Sequence, residues 1–100
     1  MNVNINQNGS SFEVKLQGRI DTTNADQFQK DIDPLMTAQA PDIVMDCSEM
    51  EYTSSQGLRI FLMLQKSVIA NGGNLVLKNM SAQVKEVFDI TGFSNIIKIL

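Results

Sequence analysis

The 100-residue sequence contains no histidine, no tryptophan and one cysteine, Cys47. A lone cysteine excludes a disulfide framework. The absence of histidine excludes a His/Cys zinc site and every catalytic scheme that uses imidazole as the base. The longest apolar run, Ile60-Phe61-Leu62-Met63-Leu64, is far short of the roughly 20 residues that a membrane-spanning helix needs. The opening residues Met1-Asn2-Val3-Asn4-Ile5-Asn6-Gln7-Asn8 lack the basic start and apolar stretch of a secretion signal, so a soluble, cytoplasmic chain is expected. A free thiol suits that reducing compartment. Basic residues are also few: eight Lys and Arg stand against eleven Asp and Glu, for a formal net charge of -3. Eight of the acidic residues lie between Asp21 and Glu51, where Lys30 is the one basic residue. Nucleic-acid binding draws its affinity from clustered cations that release counterions, and no such cluster is present.

What the chain does have is 43% hydrophobic residues and enough length to bury roughly 65% of its unfolded surface, which predicts a single domain over residues 1–100. Val3 and Ile5 alternate with Asn. Asn8-Gly9-Ser10-Ser11 supplies turn residues, and Phe12-Glu13-Val14-Lys15-Leu16-Gln17 alternates again, a pattern that predicts a β-hairpin. Thr23 and Asp26 have capping-box spacing for a helix carrying Ala25, Phe28, Ile32, Leu35 and Met36, which Pro34 should kink or end. Ile43-Val44-Met45 and Leu75-Val76-Leu77 read as strands, the first of them central and buried on both faces. A long helix is predicted from near Gly57 to Asn71-Gly72-Gly73. A third, capped by Ser81, points Val84, Val87 and Phe88 inward and closes at Thr91-Gly92, and Ile96-Ile97-Lys98-Ile99 makes the last strand. The order ββαβαβαβ predicts an α/β fold. Its one mixed sheet has a hairpin followed by parallel strands, because strand-helix-strand units cross over right-handed.

In such sheets partners and ligands meet the loops at the carboxyl ends of the strands. Here the loop after the central strand ends in Thr53-Ser54-Ser55-Gln56-Gly57, three hydroxyl residues in succession at a helix start. Ser54 or Ser55 can serve as an N-cap, which accounts for one serine and not for all three hydroxyls. Gly57 occupies a position where a better helix former would be favoured by about 1 kcal/mol, and glycine lets another group approach the backbone closely. A functional serine and a plain cap are both open on these residues. A nucleophilic serine enzyme fails for want of a base and of a Gly-x-Ser-x-Gly elbow. A nucleotide hydrolase fails for want of a Gly-x-x-x-x-Gly-Lys run, and the carboxylates match no calcium loop. The residues therefore offer no catalytic group, metal site or cofactor motif. At 100° per residue Leu58, Ile60, Phe61, Leu62, Leu64, Val68 and Ile69 share the core side of the long helix. Gln65 falls among them without an account from the sequence. Met63 lies opposite, beside Arg59; a lone exposed methionine is usually incidental, but methionine is also favoured at binding surfaces, and both readings are open on these residues.

Four segments, Leu16-Gln17-Gly18-Arg19-Ile20-Asp21, Ile43-Val44-Met45-Asp46-Cys47-Ser48, Tyr52 to Arg59 and Val84 to Phe93, resemble the STAS domain family across the whole chain, above all its stand-alone bacterial anti-sigma factor antagonists. The resemblance implies partner switching. In such antagonists a serine at the start of the helix after the central strand is phosphorylated by a serine kinase that is also the anti-sigma factor, and a serine phosphatase reverses the step. The usual motif is Asp-Ser-Ser-Gly-Leu. Laid onto this chain it puts Ser54 at the Asp position, Ser55 at the phosphorylated serine, Gln56 at the second serine and Gly57-Leu58 at the rest. Ser54 and Gln56 depart from the motif, which leaves Ser54 as a second acceptor candidate. Asp21 matches the family's acidic residue near the loop, and Asp21, Thr53, Ser54, Gln56, Gly57, Arg59 and Met63 are expected to meet the partner. The alternatives are, within the same fold, a non-enzymatic subunit of a lipid-transport ATPase complex and, as a different class, a nucleotide- or small-ligand-binding sensor. Oligomeric state is left open.

Overall fold

The computed structural model describes all 100 residues. Strands β1 (Asn2–Asn8) and β2 (Ser11–Ile20) form the hairpin, and Gly9 takes the positive φ that a two-residue turn requires. Helix α1 (Ala25–Thr37), strand β3 (Asp42–Thr53), helix α2 (Ser55–Ala70), strand β4 (Asn74–Lys78), helix α3 (Ala82–Ile90), a 3-10 turn at Phe93–Asn95 and strand β5 (Lys98–Ile99) follow. The five strands lie side by side in chain order, β1 antiparallel to β2 and the rest parallel. This is the mixed sheet expected from the sequence.

Because each parallel strand is the immediate neighbour of the one before it, every right-handed crossover delivers its helix to the same face. Phe12, Val14, Leu16, Ile43, Met45, Leu75 and Leu77 point to that face and are buried. Phe61 of α2 touches Phe28 of α1 at 5.4 Å and Phe88 of α3 at 5.6 Å between ring centroids, tying the three helices together over the sheet. The opposite face is open. Val44 and Val76 are therefore only half-buried, and β3 is not covered on both sides as its apolar run had predicted.

Other expectations change for local reasons. Asn24, not Thr23, stands before α1 and makes no side-chain cap, while the Thr23 N–H and Oγ1 both donate to Asp21. Pro34 neither ends nor breaks α1: the helix continues to Thr37 because Leu35, fully buried, holds the last turn against the core. That burial is worth about 1.5–3 kcal/mol, comparable to the roughly 3 kcal/mol cost of an internal proline. Ile69, at the rim of the α2 arc, is 58% exposed. Gln65 has a structural task, since its Nε2 donates to the Ile96 carbonyl at 2.9 Å and fastens α2 to the segment before β5. The last strand is shorter than predicted. The 3-10 turn takes up Phe93–Asn95, leaving Ile96 half exposed and Ile97 buried ahead of β5.

Candidate functional site

The site lies where β2 and β3 end side by side. Ile20 pairs with Thr53, and the Ser54 N–H donates to the Ile20 carbonyl at 2.9 Å, so the step from β3 into α2 is stitched to the end of β2. Ser54 is the N-cap of α2, with extended backbone and a hydroxyl oxygen that accepts the Gly57 N–H at 3.2 Å. That leaves Ser55 as the first helical residue. It is exposed, and its hydroxyl has no protein partner. The two serines are thereby separated by role: Ser54 is half-buried and engaged, Ser55 free.

Two residues expected at the partner surface do not reach it. Thr53 is 4% exposed, its side chain turned in under the start of α2. Gly57 is buried as well, and the group that approaches its backbone closely belongs to the chain itself. A Cβ there would lie 2.3 Å from the Thr53 Oγ1 and 3.0 Å from the Ile20 Cγ2. Glycine is needed at this position so that α2 can begin directly against β2 and β3. Gln56, Arg59 and Met63 are exposed, Met63 at 44%. At about 100° per residue, steps of four and seven bring Ser55 and Arg59, and Gln56 and Met63, onto one strip of α2 that climbs away from the loop. Arg59 forms no ion pair, so its charge is available along that strip.

Asp21 flanks the step on the β2 side. Its carboxylate accepts from the Thr23 hydroxyl and N–H and lies 3.5 Å from the Arg19 guanidinium. The Thr23 hydrogen bonds, chiefly, and then Arg19 hold its pKa below the usual carboxylate value. Asn24 completes the turn, accepting the Asp21 N–H at 2.9 Å and donating to the Arg19 carbonyl at 2.8 Å. Reading the sequence did not single out Arg19 and Tyr52 as a pair. They face each other across β2 and β3, with the guanidinium 5.0 Å from the ring centroid and Tyr52 45% exposed. The one tyrosine of the chain standing just before Thr53-Ser54-Ser55 was the available signal, but only the strand register brings Arg19 to it. Around one exposed hydroxyl the fold thus gathers an aromatic-arginine ridge, a fixed carboxylate and a helix strip with a free arginine and an exposed methionine. Most of these groups are exposed, and the chain has no histidine to act as a base there.

The STAS domain model matches residues 2–100, and the chain belongs to the STAS domain family. A protein of Bacillus subtilis (strain 168) named anti-sigma-B factor antagonist is 34% identical over 99 residues, which are 99% of this chain and 90% of that one. Among solved structures, an anti-sigma-factor antagonist (STAS) domain protein from Planctomyces limnophilus superposes with a TM-score of 0.84 at 16% identity, covering 98% of this chain and 87% of that one. The Bacillus cell fate determinant SpoIIAA in its phosphorylated form does so with a TM-score of 0.74 at 18% identity, covering 99% and 91%. These two share the fold. No helix of the chain is long and apolar enough to cross a membrane.

Proposed function

We propose that the chain is a cytoplasmic anti-sigma factor antagonist that works by partner switching. Unphosphorylated, it binds an anti-sigma factor that is also a serine kinase. Phosphorylation on Ser55 releases that partner, and a serine phosphatase restores binding. The observation that carries the reading is the division of labour at the start of α2, where Ser54 is used as the cap and Ser55 is exposed and unengaged. The similarity to the Bacillus subtilis anti-sigma-B factor antagonist supports the class of partner. The phosphorylated form of SpoIIAA shows that a chain of this fold carries the modification.

The physics favours Ser55 over Ser54. A phosphate adds about -1.5 to -2 charges at neutral pH. On Ser54 it would disturb a cap worth about 1 kcal/mol. On Ser55 it meets the unpaired N–H groups of the first turn, which stabilise an anion there by about 0.3–1 kcal/mol. The folded chain tolerates the modification, but a docked partner does not, because the dianion would lose its hydration against a surface already flanked by Asp21. A loss of about 3 kcal/mol weakens binding more than a hundredfold. Asp21, Gln56, Arg59 and Met63 form the contact surface around that hydroxyl.

The test is to incubate the protein with ATP and its kinase, locate the added phosphate by mass spectrometry, and titrate the variants against the kinase. Phosphate is expected on Ser55. Ser55→Ala should stay bound and Ser55→Asp should bind poorly, with both folded, and Met63→Ala should bind more weakly. Phosphate on Ser54, or Ser55→Asp titrating as tightly as the unmodified protein, would refute the reading.

A further inference from the structure

The two edges of the sheet are built differently. β5 closes one side with two residues, one of them Lys98, and a short, charged edge discourages a further strand. β1 has none of these protections. It is seven residues long, contains no charged residue and no proline, and pairs with β2 from Asn2 to Asn8 without a break in register. On its outer side every second residue turns its N–H and C=O away from β2, where no strand receives them.

The order of side chains along this edge is an independent observation. Asn2-Val3-Asn4-Ile5-Asn6-Gln7-Asn8 reads almost the same from either end. A two-fold interface requires that when residue i meets j, j also meets i. An antiparallel pairing about an axis at Ile5 satisfies this requirement. It sets Asn2 opposite Asn8, Asn4 opposite Asn6 and Ile5 opposite itself, with Val3 against Gln7 as the single unlike pair. Asn2, Asn4, Asn6 and Asn8 are all exposed, and each amide can both donate and accept. Each copy carries a net charge of -3, but none of the charged residues lies on β1 itself.

We propose that a second copy of this chain pairs antiparallel with β1, joining two five-stranded sheets into one. The start of α2 lies beyond the Asn2 end of β1, since Asn2 pairs with Gln17 and Ile20 pairs with Thr53. The pairing therefore sends the two Ser55 hydroxyls to opposite ends of the joined sheet and leaves both accessible.

Sedimentation equilibrium from the micromolar into the millimolar range tests the proposal; the mass is expected to rise from 11.1 kDa towards twice that value. Two double variants at exposed positions test the register, with thermal melts to verify their folding. Asn4→Lys/Asn6→Lys brings like charges face to face in two places and should weaken association by about tenfold or more. Asn4→Glu/Asn6→Lys brings unlike charges together in the same two places. Each substitution also faces an opposite charge on β2, because Asn4 pairs with Lys15 and Asn6 with Glu13. This variant should associate at least as tightly as the original chain. A monomer throughout the range overturns the proposal. So does a dimer that Asn4→Lys/Asn6→Lys leaves intact, or one that both variants abolish alike.

Discussion

Replacing Gly57 by alanine sets two effects of opposite sign against each other. Helix propensity favours alanine by about 1 kcal/mol. Against it stands the new methyl, 2.3 Å from the Thr53 Oγ1 and 3.0 Å from the Ile20 Cγ2. Neither neighbour can retreat easily, because Thr53 and Ile20 are paired backbone partners at 4% and 0% exposure. Overpacking at such a site costs about 1–3 kcal/mol. Pushing α2 outward to relieve it lengthens the Ser54 cap, worth about 1 kcal/mol more. The clash should win, and Gly57→Ala should lose about 1–2 kcal/mol. For a chain of this size that lowers the unfolding midpoint by about 5–15 °C, read by calorimetry. The identity of the clashing atom gives the sharper check. In a Thr53→Ala background the closest contact is gone, so the added cost of Gly57→Ala should shrink by about 0.5 kcal/mol or more in a double-mutant cycle. A midpoint that rises in Gly57→Ala, or the same loss in both backgrounds, would refute the packing account.

Two further outcomes follow from the charges and the thiol. Hydrogen bonds hold four carboxylates below their ordinary pKa: Asp21 through Thr23, Asp46 through the Ser48 N–H, Glu49 through Gln17 and Asp89 through Ser94. Lowered folded values mean that the unfolded chain binds more protons in the acid range. Their contribution to stability is complete above the unfolded values of about 3.9–4.3 and is lost as the pH falls through the folded ones. Thermal midpoints should therefore be level near neutrality and fall below about pH 4, and Asp46→Asn should flatten part of that fall. An acid limb as steep in Asp46→Asn as in the parent would remove Asp46 from the account. Burial, first, and the neighbouring Asp46 push the Cys47 thiol up to about 12. A thiol reagent at neutral pH should therefore label Cys47 only when the chain unfolds, with a rate that tracks denaturant. Rapid labelling of the native protein would show that the β3 core opens locally.

Much of the candidate site was legible in the residues. Three hydroxyls before a glycine at a helix start marked the loop, and helical spacing put Arg59 and Met63 on the outer strip of α2, where the structure finds them. The roles inside the triplet were not legible. Thr53, Ser54 and Ser55 are chemically alike, and what separates them is that β3 turns one inward, the cap geometry engages the next and the third is left in solvent. Gly57 was misread for the same reason. Its missing side chain is visible in the sequence, but the atoms that occupy the space, Thr53 and Ile20, come together only through strand pairing across 33 residues.

The order of strands and helices follows from local chemistry alone, since period-two and helical spacing, turn glycines and capping serines act over a few residues and need no distant partner. The open sheet face is different: Val44 and Val76 carry the same apolar signal whether one face is covered or two, and only the crossover geometry, which sends every helix to one side, decides that they stay half-exposed. The Arg19 and Tyr52 ridge, the fixed Asp21 and the free Ser55 likewise depend on β2 and β3 ending together, because parallel pairing joins residues that no local periodicity relates.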